Sequence, residues 1–344
     1  SPLGIGILGT GSVAGAHIDN WQLVDGAEVI AIASRDMDRA AAKAAEHNVG
    51  ATPYGDVESL LADDRVDVVC ICTPHALHCE QVIAGAAAGK HLVIEKPVAL
   101  NREDLGRMLA AVEDAEVFTS VCFELHWIGS FITTRQLIDD GVIGTPFYGE
   151  AGYYHGITPE SPQFAWGHHT RDGGGSAFLT AGCHALDGLI HLMDDRVTEV
   201  TAIANHSATN PHGYEYPPNV QALLKFASGA IGKVGVSIEC HNPYHFPVII
   251  QGDKGTIRDN AYSTVDLPEA QDWIEIDCPI PGSGDVAHHP YLGQFQAFAD
   301  AIADGRDPHN NLTAAAHVHD VCFAIDTSAE NGGQPENVVA TEPA

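Results

Sequence analysis

The chain has 344 residues, 46 of them acidic and 16 basic, so its formal charge is −30 at pH 7. This length suits two domains better than one, and this charge argues against nucleic acid and anionic membranes as partners. The sequence has no run of about 18 apolar residues, which a membrane-spanning helix needs. Few lysines among many acidic residues predict an acidic surface suited to high salt.

The eight cysteines lie mostly within apolar segments such as Val68–Cys72. This placement is typical of small buried hydrophobic side chains, and no CxxC pair indicates zinc or redox chemistry. We therefore expect a reducing, cytoplasmic location and no bound metal. The first residues show no basic segment before an apolar one, so a signal peptide is not expected.

The first part of the chain alternates strand and helix patterns. The predicted strands are Leu3–Leu8, Glu28–Ser34, Val66–Cys72, His91–Glu95 and Val117–Phe123. The predicted helices are Ser12–Gln22, Arg39–His47, Leu77–Ala88 and Glu103–Glu113. Alternation of this kind predicts an α/β fold with a doubly wound parallel sheet, so residues 1–124 are expected to form a dinucleotide-binding Rossmann domain.

The pattern changes after residue 124. Helices are predicted over Ser130–Asp140, Gly175–Met193, Leu292–Ala303 and Ala314–Glu330. Strands are predicted as hairpin pairs, Gln221–Phe226 with Gly232–Glu239 and Pro247–Gln251 with Thr256–Asp259. Residues 125–344 are thus expected to form an α+β domain with a large, mostly antiparallel sheet that binds substrate. One face of that sheet is expected to be buried in a homo-oligomer, a dimer or a tetramer.

A glycine-rich turn, Gly9–Ala14 (GTGSVA), fits the pattern GxGxxA. It follows a predicted strand and opens a predicted helix, which is the context that a dinucleotide site requires. The first glycine allows the tight turn, and the second lets the backbone approach a pyrophosphate attracted by the helix N-terminus. The residues expected to bind the cofactor here are Gly9, Thr10, Gly11, Ser12 and Val13.

The end of the second strand bears on the choice of cofactor. An acidic residue at this place would bind the ribose 2′-hydroxyl of NAD, whereas Arg35, with Ser34 and Arg39, suits the 2′-phosphate of NADP. We therefore expect NADP. NAD is kept as the alternative because Asp36 follows directly and Arg35 could instead stack on the adenine.

Two further strand ends indicate where a substrate would react. Thr73, Pro74 and His75 follow a buried strand and are expected to border the nicotinamide, although a structural role suits His75 equally. Glu95 and Lys96 follow the next strand and are also expected to bind the cofactor. Lysine occurs only six times in the chain. Lys96 is expected to hydrogen-bond the reacting oxygen and stabilise its charge. The alternative is a salt bridge between Lys96 and a nearby carboxylate.

In the second half, Gly173–Gly175 precede a predicted helix on which Thr180, His184, Asp187 and His191 share one face. The glycines suggest close approach of a ligand, and the polar face predicts a catalytic role for His184 and a structural one for His191. The residues expected to contact a sugar are Lys96, His155, Trp166, His168, Arg171, Thr180 and His184.

Taken together, these motifs resemble the Gfo/Idh/MocA family, the glucose–fructose oxidoreductase and inositol dehydrogenase group. The matching segments, in family order, are Gly9-Thr10-Gly11, Thr73-Pro74, Glu95-Lys96-Pro97, Gly173-Gly174-Gly175 and Gly182-x-His184. The resemblance implies Lys96 and His184 as catalytic residues. Many members carry an aspartate four residues before that histidine, where this chain has Thr180. Asp187 or another carboxylate is the expected replacement.

The leading hypothesis is an enzyme that transfers a hydride between NAD(P) and a hydroxyl or carbonyl carbon of a sugar, sugar derivative or cyclic polyol. His184 would act as general base. One alternative is a glycoside hydrolase or lyase that oxidises its substrate transiently with bound NAD. A non-catalytic cofactor sensor is the other, and the presence of Lys96 and His184 argues against it.

Overall fold

The computed structural model describes residues 2–161, 164–165, 167–270, 272–278 and 290–344. These residues fall into two compact units, the first comprising Ser1–Cys122, Asp285–Ala316 and Thr341–Ala344 and the second Phe123–Gly284 and His317–Ala340. The first change of unit lies close to the predicted boundary after residue 124. The prediction placed the whole remainder in one domain, but the chain returns to the first unit near its C-terminus.

Within the described residues, the first unit is built on a parallel sheet of six strands. Its strands are β1 (Leu3–Leu8), β2 (Ala27–Ala33), β3 (Thr52–Tyr54), β4 (Val68–Ile71), β5 (His91–Ile94) and β6 (Thr119–Val121). Its helices include α1 (Ser12–Trp21), α2 (Met37–Glu46), α3 (Val57–Leu61), α4 (His78–Ala87) and α5 (Arg102–Ala115). The predicted Rossmann-type sheet is confirmed, while β3 and α3 were not predicted.

The strand order of this sheet, β3–β2–β1–β4–β5–β6, places the functional turns together. All six strands run in one direction, so their carboxyl ends share one edge of the sheet. The order reverses beside β1, and ligands of open α/β sheets bind at that switch point. The turns that begin at Gly9, Ser34, Thr73 and Glu95 all lie at this edge.

The second unit contains a large mixed sheet. Its strands are β7 (Pro146–Tyr154), β8 (Val197–Asn205), β9 (Asn219–Phe226), β10 (Ile231–Ser237), β11 (Val248–Gly252), β12 (Gly255–Arg258), β13 (Ala261–Thr264), β14 (Ile274–Glu275) and β15 (Glu336–Asn337). Among the described residues their order is β14–β13–β12–β11–β7–β10–β9–β8–β15. Only β7 and β10 of these pair in parallel, so the predicted mostly antiparallel sheet and both predicted hairpins are confirmed.

Helices α6 (Gly129–Asp139), α7 (Arg171–Gly174) and α8 (Cys183–Met193) belong to this second unit. The predicted helix Gly175–Met193 is not uniform, because a π-helical turn over Phe178–Gly182 precedes α8. The C-terminal residues make defined contacts: β15 pairs with β8, and the Ala344 N–H donates to the Gly106 carbonyl within the first unit.

The last two helices are α9 (Tyr291–Asp304) and α10 (Leu312–Glu330). Helix α9 belongs to the first unit, where it buries Tyr291, Phe295 and Phe298 on one face. Phe295 stacks on Trp21 of α1 with ring centroids 4.7 Å apart and planes 7° from parallel. This aromatic core therefore joins residues 274 positions apart. In the described part of the chain, none of the helices has the length and apolar character needed to cross a membrane.

Candidate active site

The glycine-rich turn has the backbone that a dinucleotide site requires. Gly9 has φ +109°, and a Cβ at this position would lie 2.5 Å from the Cys72 carbonyl oxygen. A Cβ on Gly11, by contrast, would meet no atom within 4 Å. Helix α1 starts at the next residue without a side-chain cap among the described residues, so its first N–H groups remain available to an anion. The fold therefore requires glycine at position 9, whereas at position 11 the absence of a side chain leaves space beside the backbone.

The end of β2 carries two exposed arginines. Neither Arg35 nor Arg39 forms an ion pair with another described residue. The neighbouring carboxylate of Asp36 caps α2, because its Oδ1 accepts a hydrogen bond of 3.0 Å from the Asp38 N–H. Asp36, the acidic residue that made NAD an alternative cofactor, therefore has a structural role as the N-cap of α2.

The turns after β4 and β5 are joined by a buried histidine. The His78 ring nitrogens lie 2.9 Å from the Thr73 carbonyl oxygen and 3.0 Å from that of Pro97, which follows a cis peptide bond. Burial lowers the pKa of His78, so its neutral form is favoured. His75, predicted to border the nicotinamide, is half-buried and packs its ring against His78. The neutral ring has one N–H, which donates to one of these two carbonyl oxygens, and the His78 ring lies between the segments that follow β4 and β5.

Glu95 forms hydrogen bonds within the first unit. Its Oε1 accepts from His17 Nε2 and from the Tyr291 hydroxyl, both at 2.9 Å, and its Oε2 accepts from the Lys96 N–H at 3.3 Å. Burial opposes ionisation, but the hydrogen bond and charge of His17 and the charge of Lys96 prevail, and the pKa of Glu95 is lowered. The carboxylate predicted to border the cofactor thus fixes the backbone of the strand end at Lys96.

Cys122 lies beside this network, with its Sγ 3.9 Å from His17 Nε2. His17, Glu95 and Cys122 offer three potential metal-ligand atoms within 4.8 Å of one another. The distance of 2.9 Å between His17 and Glu95 is that of a charge-assisted hydrogen bond. We therefore interpret the cluster as a hydrogen-bonded support for the strand end.

Replacing Glu95 by glutamine is expected to destabilise the protein by about 1–3 kcal/mol at pH 7, because hydrogen bonds to a charged acceptor are weakened. The folded carboxyl has a pKa below its ordinary 4.5, so its ionised form stabilises the fold above that pH and this contribution is lost as the pH falls below it. Denaturant unfolding at pH 7 and pH 4 measures both effects. The exposed Glu58→Gln is the control, and an equal difference at both pH values would contradict the prediction.

In the second unit, His184 lies near the start of α8 and is 2% exposed. The Tyr153 ring lies nearly parallel to its imidazole, at 10° and 6.2 Å between centroids. Phe123 and Phe246 approach the same ring edge-on, each at 6.3 Å. The predicted catalytic histidine therefore sits among aromatic side chains.

Two contacts between a histidine and a carboxylate connect α8 with the short 3₁₀ turn Glu124–Trp127. Glu124 Oε1 lies 3.7 Å from His184 Nδ1, and His126 Nε2 lies 2.7 Å from Asp187 Oδ2. His191 stacks on His126 at 3.9 Å between ring centroids. Asp187, the expected replacement for the family aspartate, thus pairs with His126, while Glu124 supplies the carboxylate near His184.

The other predicted substrate residues are placed differently. His155 packs against Tyr244 at 4.8 Å between ring centroids, and its Nδ1 lies 3.2 Å from the Tyr153 hydroxyl. Thr180 lies 2.5 Å from His168 Nε2, and both are buried. Arg171 is exposed, and its Nη1 lies 3.4 Å from Glu330 Oε1; its role in a sugar pocket stays a prediction. Trp166 lies outside the described residues.

The glycines before α8 have a structural explanation. A Cβ on Gly173 would lie 2.3 Å from the Gly167 carbonyl oxygen, and one on Gly174 would lie 2.1 Å from that of His168. The chain therefore needs glycine here because two of its own segments touch. The close approach of a ligand to these glycines stays a prediction.

Sequence reasoning missed Glu124, Tyr153 and Phe246 around His184, and His17 and Tyr291 around Glu95. Glu124 had a usable signal, because it directly follows the predicted strand Val117–Phe123. The other four contacts join residues distant in sequence, and no local pattern marks them.

The parallel sheet and its glycine-rich turn have the architecture of a dinucleotide-binding protein. Comparison with known protein families also indicates a dinucleotide-binding protein. Residues 3–123 match the profile of the oxidoreductase family with an NAD-binding Rossmann fold, and residues 131–258 match the GFO/IDH/MocA C-terminal domain. The chain belongs to the Gfo/Idh/MocA family of NAD-dependent dehydrogenases and reductases.

Individual relatives include enzymes acting on inositol. The chain is 29% identical over 263 residues to myo-inositol 2-dehydrogenase of Thermotoga maritima, covering 76% of each chain. It is 26% identical over 338 residues to scyllo-inositol 2-dehydrogenase (NAD(+)) of Bacillus subtilis strain 168, covering 95% of this chain and 94% of the relative. The crystal structure of an NAD-binding oxidoreductase from Klebsiella pneumoniae superimposes with a TM-score of 0.86 at 26% identity, over 98% of this chain and 100% of that one.

Proposed function

We propose that the protein oxidises a secondary hydroxyl group of a cyclic polyol or sugar, or reduces the corresponding ketone, with a nicotinamide cofactor. The observation that carries this proposal is the buried imidazole of His184, set among aromatic rings beside a carboxylate, in a family of nicotinamide-dependent enzymes. Aromatic side chains offer apolar faces to a sugar or polyol ring, and a histidine accepts a hydroxyl proton near neutral pH.

The proposed roles of Lys96 and His184 differ. In the direction of oxidation His184 takes the hydroxyl proton, and Lys96 hydrogen-bonds the same oxygen and stabilises the charge that develops on it. A nicotinamide held at the carboxyl edge of the parallel sheet would supply the acceptor for the hydride that leaves the carbon. The backbone hydrogen bond from Lys96 to Glu95 supports the orientation of this strand end.

The proposal is tested with a panel of inositols, aldoses, ketoses and glycosides. Each compound is assayed with both cofactors and with added salt. Substrate-dependent change in nicotinamide absorbance for a cyclic polyol or sugar is the expected result. Release of an aglycone without net cofactor reduction would favour the transient-oxidation alternative. No turnover of either kind, by a protein that binds nicotinamide cofactor, would reject the proposed function.

For the cofactor we propose NADP, with NAD as the alternative. The guanidinium groups of Arg35 and Arg39 at the end of β2, which are exposed and form no ion pair within the described part of the chain, support this choice, as does the capping role of Asp36. The name of the Bacillus relative, which specifies NAD(+), favours the alternative. Kinetics with both cofactors decides between them.

The double variant Arg35→Ala/Arg39→Ala is expected to lower kcat/KM for NADP by about 10–100-fold, because each phosphate contact is a charge-assisted hydrogen bond. Its kcat/KM for NAD should change by less than about threefold, since the 2′-phosphate is absent there. Arg65→Ala, an exposed arginine paired with Asp63, is the matched control. An unchanged NADP to NAD ratio in the double variant would contradict the assignment.

Gly11→Ala is expected to leave stability unchanged, because its Cβ would meet no protein atom within 4 Å. It should weaken cofactor binding by about tenfold or more, because the added methyl group occupies the path by which the pyrophosphate approaches the backbone. Thermal unfolding and fluorescence titration with reduced cofactor measure the two effects. Gly9→Ala is the contrasting variant and should lose stability. Unaltered cofactor affinity in Gly11→Ala would contradict the proposed site.

We further propose that the exposed face of the nine-stranded sheet forms a homo-oligomer interface. Ile203, Leu223 and Ile231 are 66%, 60% and 54% exposed on the adjacent strands β8, β9 and β10, and large exposed apolar side chains on one face favour association. All eight cysteines, each within the described part of the chain, are free thiols, which supports a cytoplasmic location. Light scattering tests the oligomeric state.

A further inference from the structure

His78, the first residue of α4, is fully buried in the first unit. Both of its ring nitrogens face backbone carbonyl oxygens: Nδ1 lies 3.0 Å from that of Pro97, and Nε2 lies 2.9 Å from that of Thr73. A neutral imidazole has one N–H, so only one of the two oxygens accepts a hydrogen bond from it. The position of this proton decides which of two turns the histidine holds.

The turn after β4 is held by contacts other than that of the His78 ring. The Thr73 hydroxyl donates to Gln81 Oε1 at 2.5 Å, and Gln81 belongs to α4. The Leu77 N–H donates to the Pro74 carbonyl at 2.9 Å. Thr73 is also half-buried, so water reaches this residue. A carbonyl group that water solvates does not need a donor from the protein.

The turn after β5 depends more strongly on the histidine. Pro97 is buried, and among the described residues the His78 ring is the one hydrogen-bond donor at its carbonyl oxygen. A buried carbonyl group without a donor costs more free energy than one that water can solvate. The Nδ1 atom of His78 is therefore the nitrogen that carries the proton.

The position of Pro97 matters because Lys96 directly precedes it. On the other side of Lys96, Glu95 Oε2 accepts a hydrogen bond of 3.3 Å from the Lys96 N–H. Glu95 is itself held by His17, whose Nε2 lies 2.9 Å from Glu95 Oε1. A hydrogen bond to the Pro97 carbonyl therefore fixes the backbone on the second side of Lys96, and it does so from a rigid helix.

We propose that His78 is a positioning residue for Lys96: its proton lies on Nδ1 and is donated to the Pro97 carbonyl. The inference rests on the proposed function for the catalytic role of Lys96, whereas the tautomer and the hydrogen bond do not depend on that role. The bond fixes the backbone from which the Lys96 side chain extends, so the ammonium group meets the reacting oxygen in a defined orientation. His78 exchanges no proton with the substrate.

His91, at the start of β5, is an internal reference for the tautomer of His78. Its Nδ1 accepts a hydrogen bond of 3.1 Å from the Phe118 N–H, so its own proton lies on Nε2. Burial lowers the pKa of both histidines, and both rings are therefore neutral at pH 8. Long-range proton–nitrogen correlation spectra, assigned through His78→Asn and His91→Asn, should show opposite patterns for the two rings. A proton on Nε2 of His78 overturns the proposal.

Two amide variants separate the roles of the two ring nitrogens. The side-chain amide nitrogen of asparagine takes the place of Nδ1, and that of glutamine takes the place of Nε2. His78→Asn therefore keeps a donor for the Pro97 carbonyl, and His78→Gln loses it. Hydrogen exchange of the Lys96 amide should become about tenfold faster in His78→Gln and change by less than about threefold in His78→Asn. Equal exchange rates in the two variants contradict the proposed hydrogen bond.

Turnover tests the catalytic meaning of this hydrogen bond. His78→Gln should lower kcat by about tenfold or more with KM within about threefold, because a misplaced lysine stabilises the transition state less well. His78→Asn should keep kcat within about threefold, since the donor to Pro97 is restored. His91→Gln, which changes a histidine at the other end of β5, is the matched control and should also keep its kcat.

Thermal unfolding shows whether each variant is folded, and if one is not, the tautomer in the unaltered protein decides. An equal loss of kcat in His78→Asn and His78→Gln, or no loss in either, overturns the proposed positioning role. Absence of turnover in the unaltered protein rejects the proposed function instead, and the tautomer and the exchange rates then decide whether His78 holds the backbone beside Lys96.

Discussion

Replacing Lys96 by methionine is expected to lower kcat by about 10³-fold, because one donor to the reacting oxygen is lost. His184→Asn should lower kcat by about 10²–10⁴-fold through loss of the general base. Steady-state kinetics measures both effects, and fluorescence titration should show cofactor affinity within about threefold of that of the unaltered protein, since neither side chain supplies the pyrophosphate contacts.

Two substitutions serve as controls for this experiment. Lys43→Met removes a lysine of α2 that pairs with Glu46, and His191→Asn removes the histidine of α8 with the predicted structural role. Both should retain kcat within a few-fold. Near-normal turnover in Lys96→Met and in His184→Asn would reject the mechanism.

The second large effect concerns stability. Phe295→Ala is expected to destabilise the protein by about 3–5 kcal/mol, because it removes a fully buried aromatic ring and leaves a cavity. Phe295 is 0% exposed and contacts Trp21 of α1 and the ring of His17. Denaturant unfolding, followed by tryptophan fluorescence, gives the free energy.

Phe147→Ala is the matched control, because the same ring is removed from a position that is 51% exposed. Its free energy of unfolding should change by less than about 0.5 kcal/mol. A loss of less than about 1 kcal/mol in Phe295→Ala would show that α9 is not part of the core of the first unit.

Much of the first unit could be predicted because its elements are local. Buried parallel strands are continuous apolar runs, and Gly9 and Gly89 mark the turns between them. In the second unit, β7 was missed because Pro146–Tyr154 combines glycines with aromatic residues and lacks clear alternation. The return of α9 to the first unit was also missed. The spacing of Tyr291, Phe295 and Phe298 shows that one helix face is buried, but it does not show against which segment.

The candidate site shows the same difference between local patterns, which could be predicted, and contacts between distant segments, which could not. Gly9, Lys96 and His184 were predicted because each occupies a position with a special backbone or a defined place at the end of a strand or on a helix. Glu124 could not be paired with His184 from sequence, because that contact depends on how two elements pack in space. For the same reason the sequence suggested Asp187, which has the right spacing on α8, whereas the structure pairs it with His126.

The division of the first unit among three stretches of chain has a consequence for its biosynthesis. Trp21 leaves the ribosome early, but Phe295, which covers it, is translated 274 residues later. The nascent sheet must therefore keep an uncovered aromatic surface while the first segment of the second unit, Phe123–Gly284, is made, although domains generally fold in N-terminal to C-terminal order. We expect residues 1–124 expressed alone to aggregate, and a chain interrupted before α9 to be a target for chaperones.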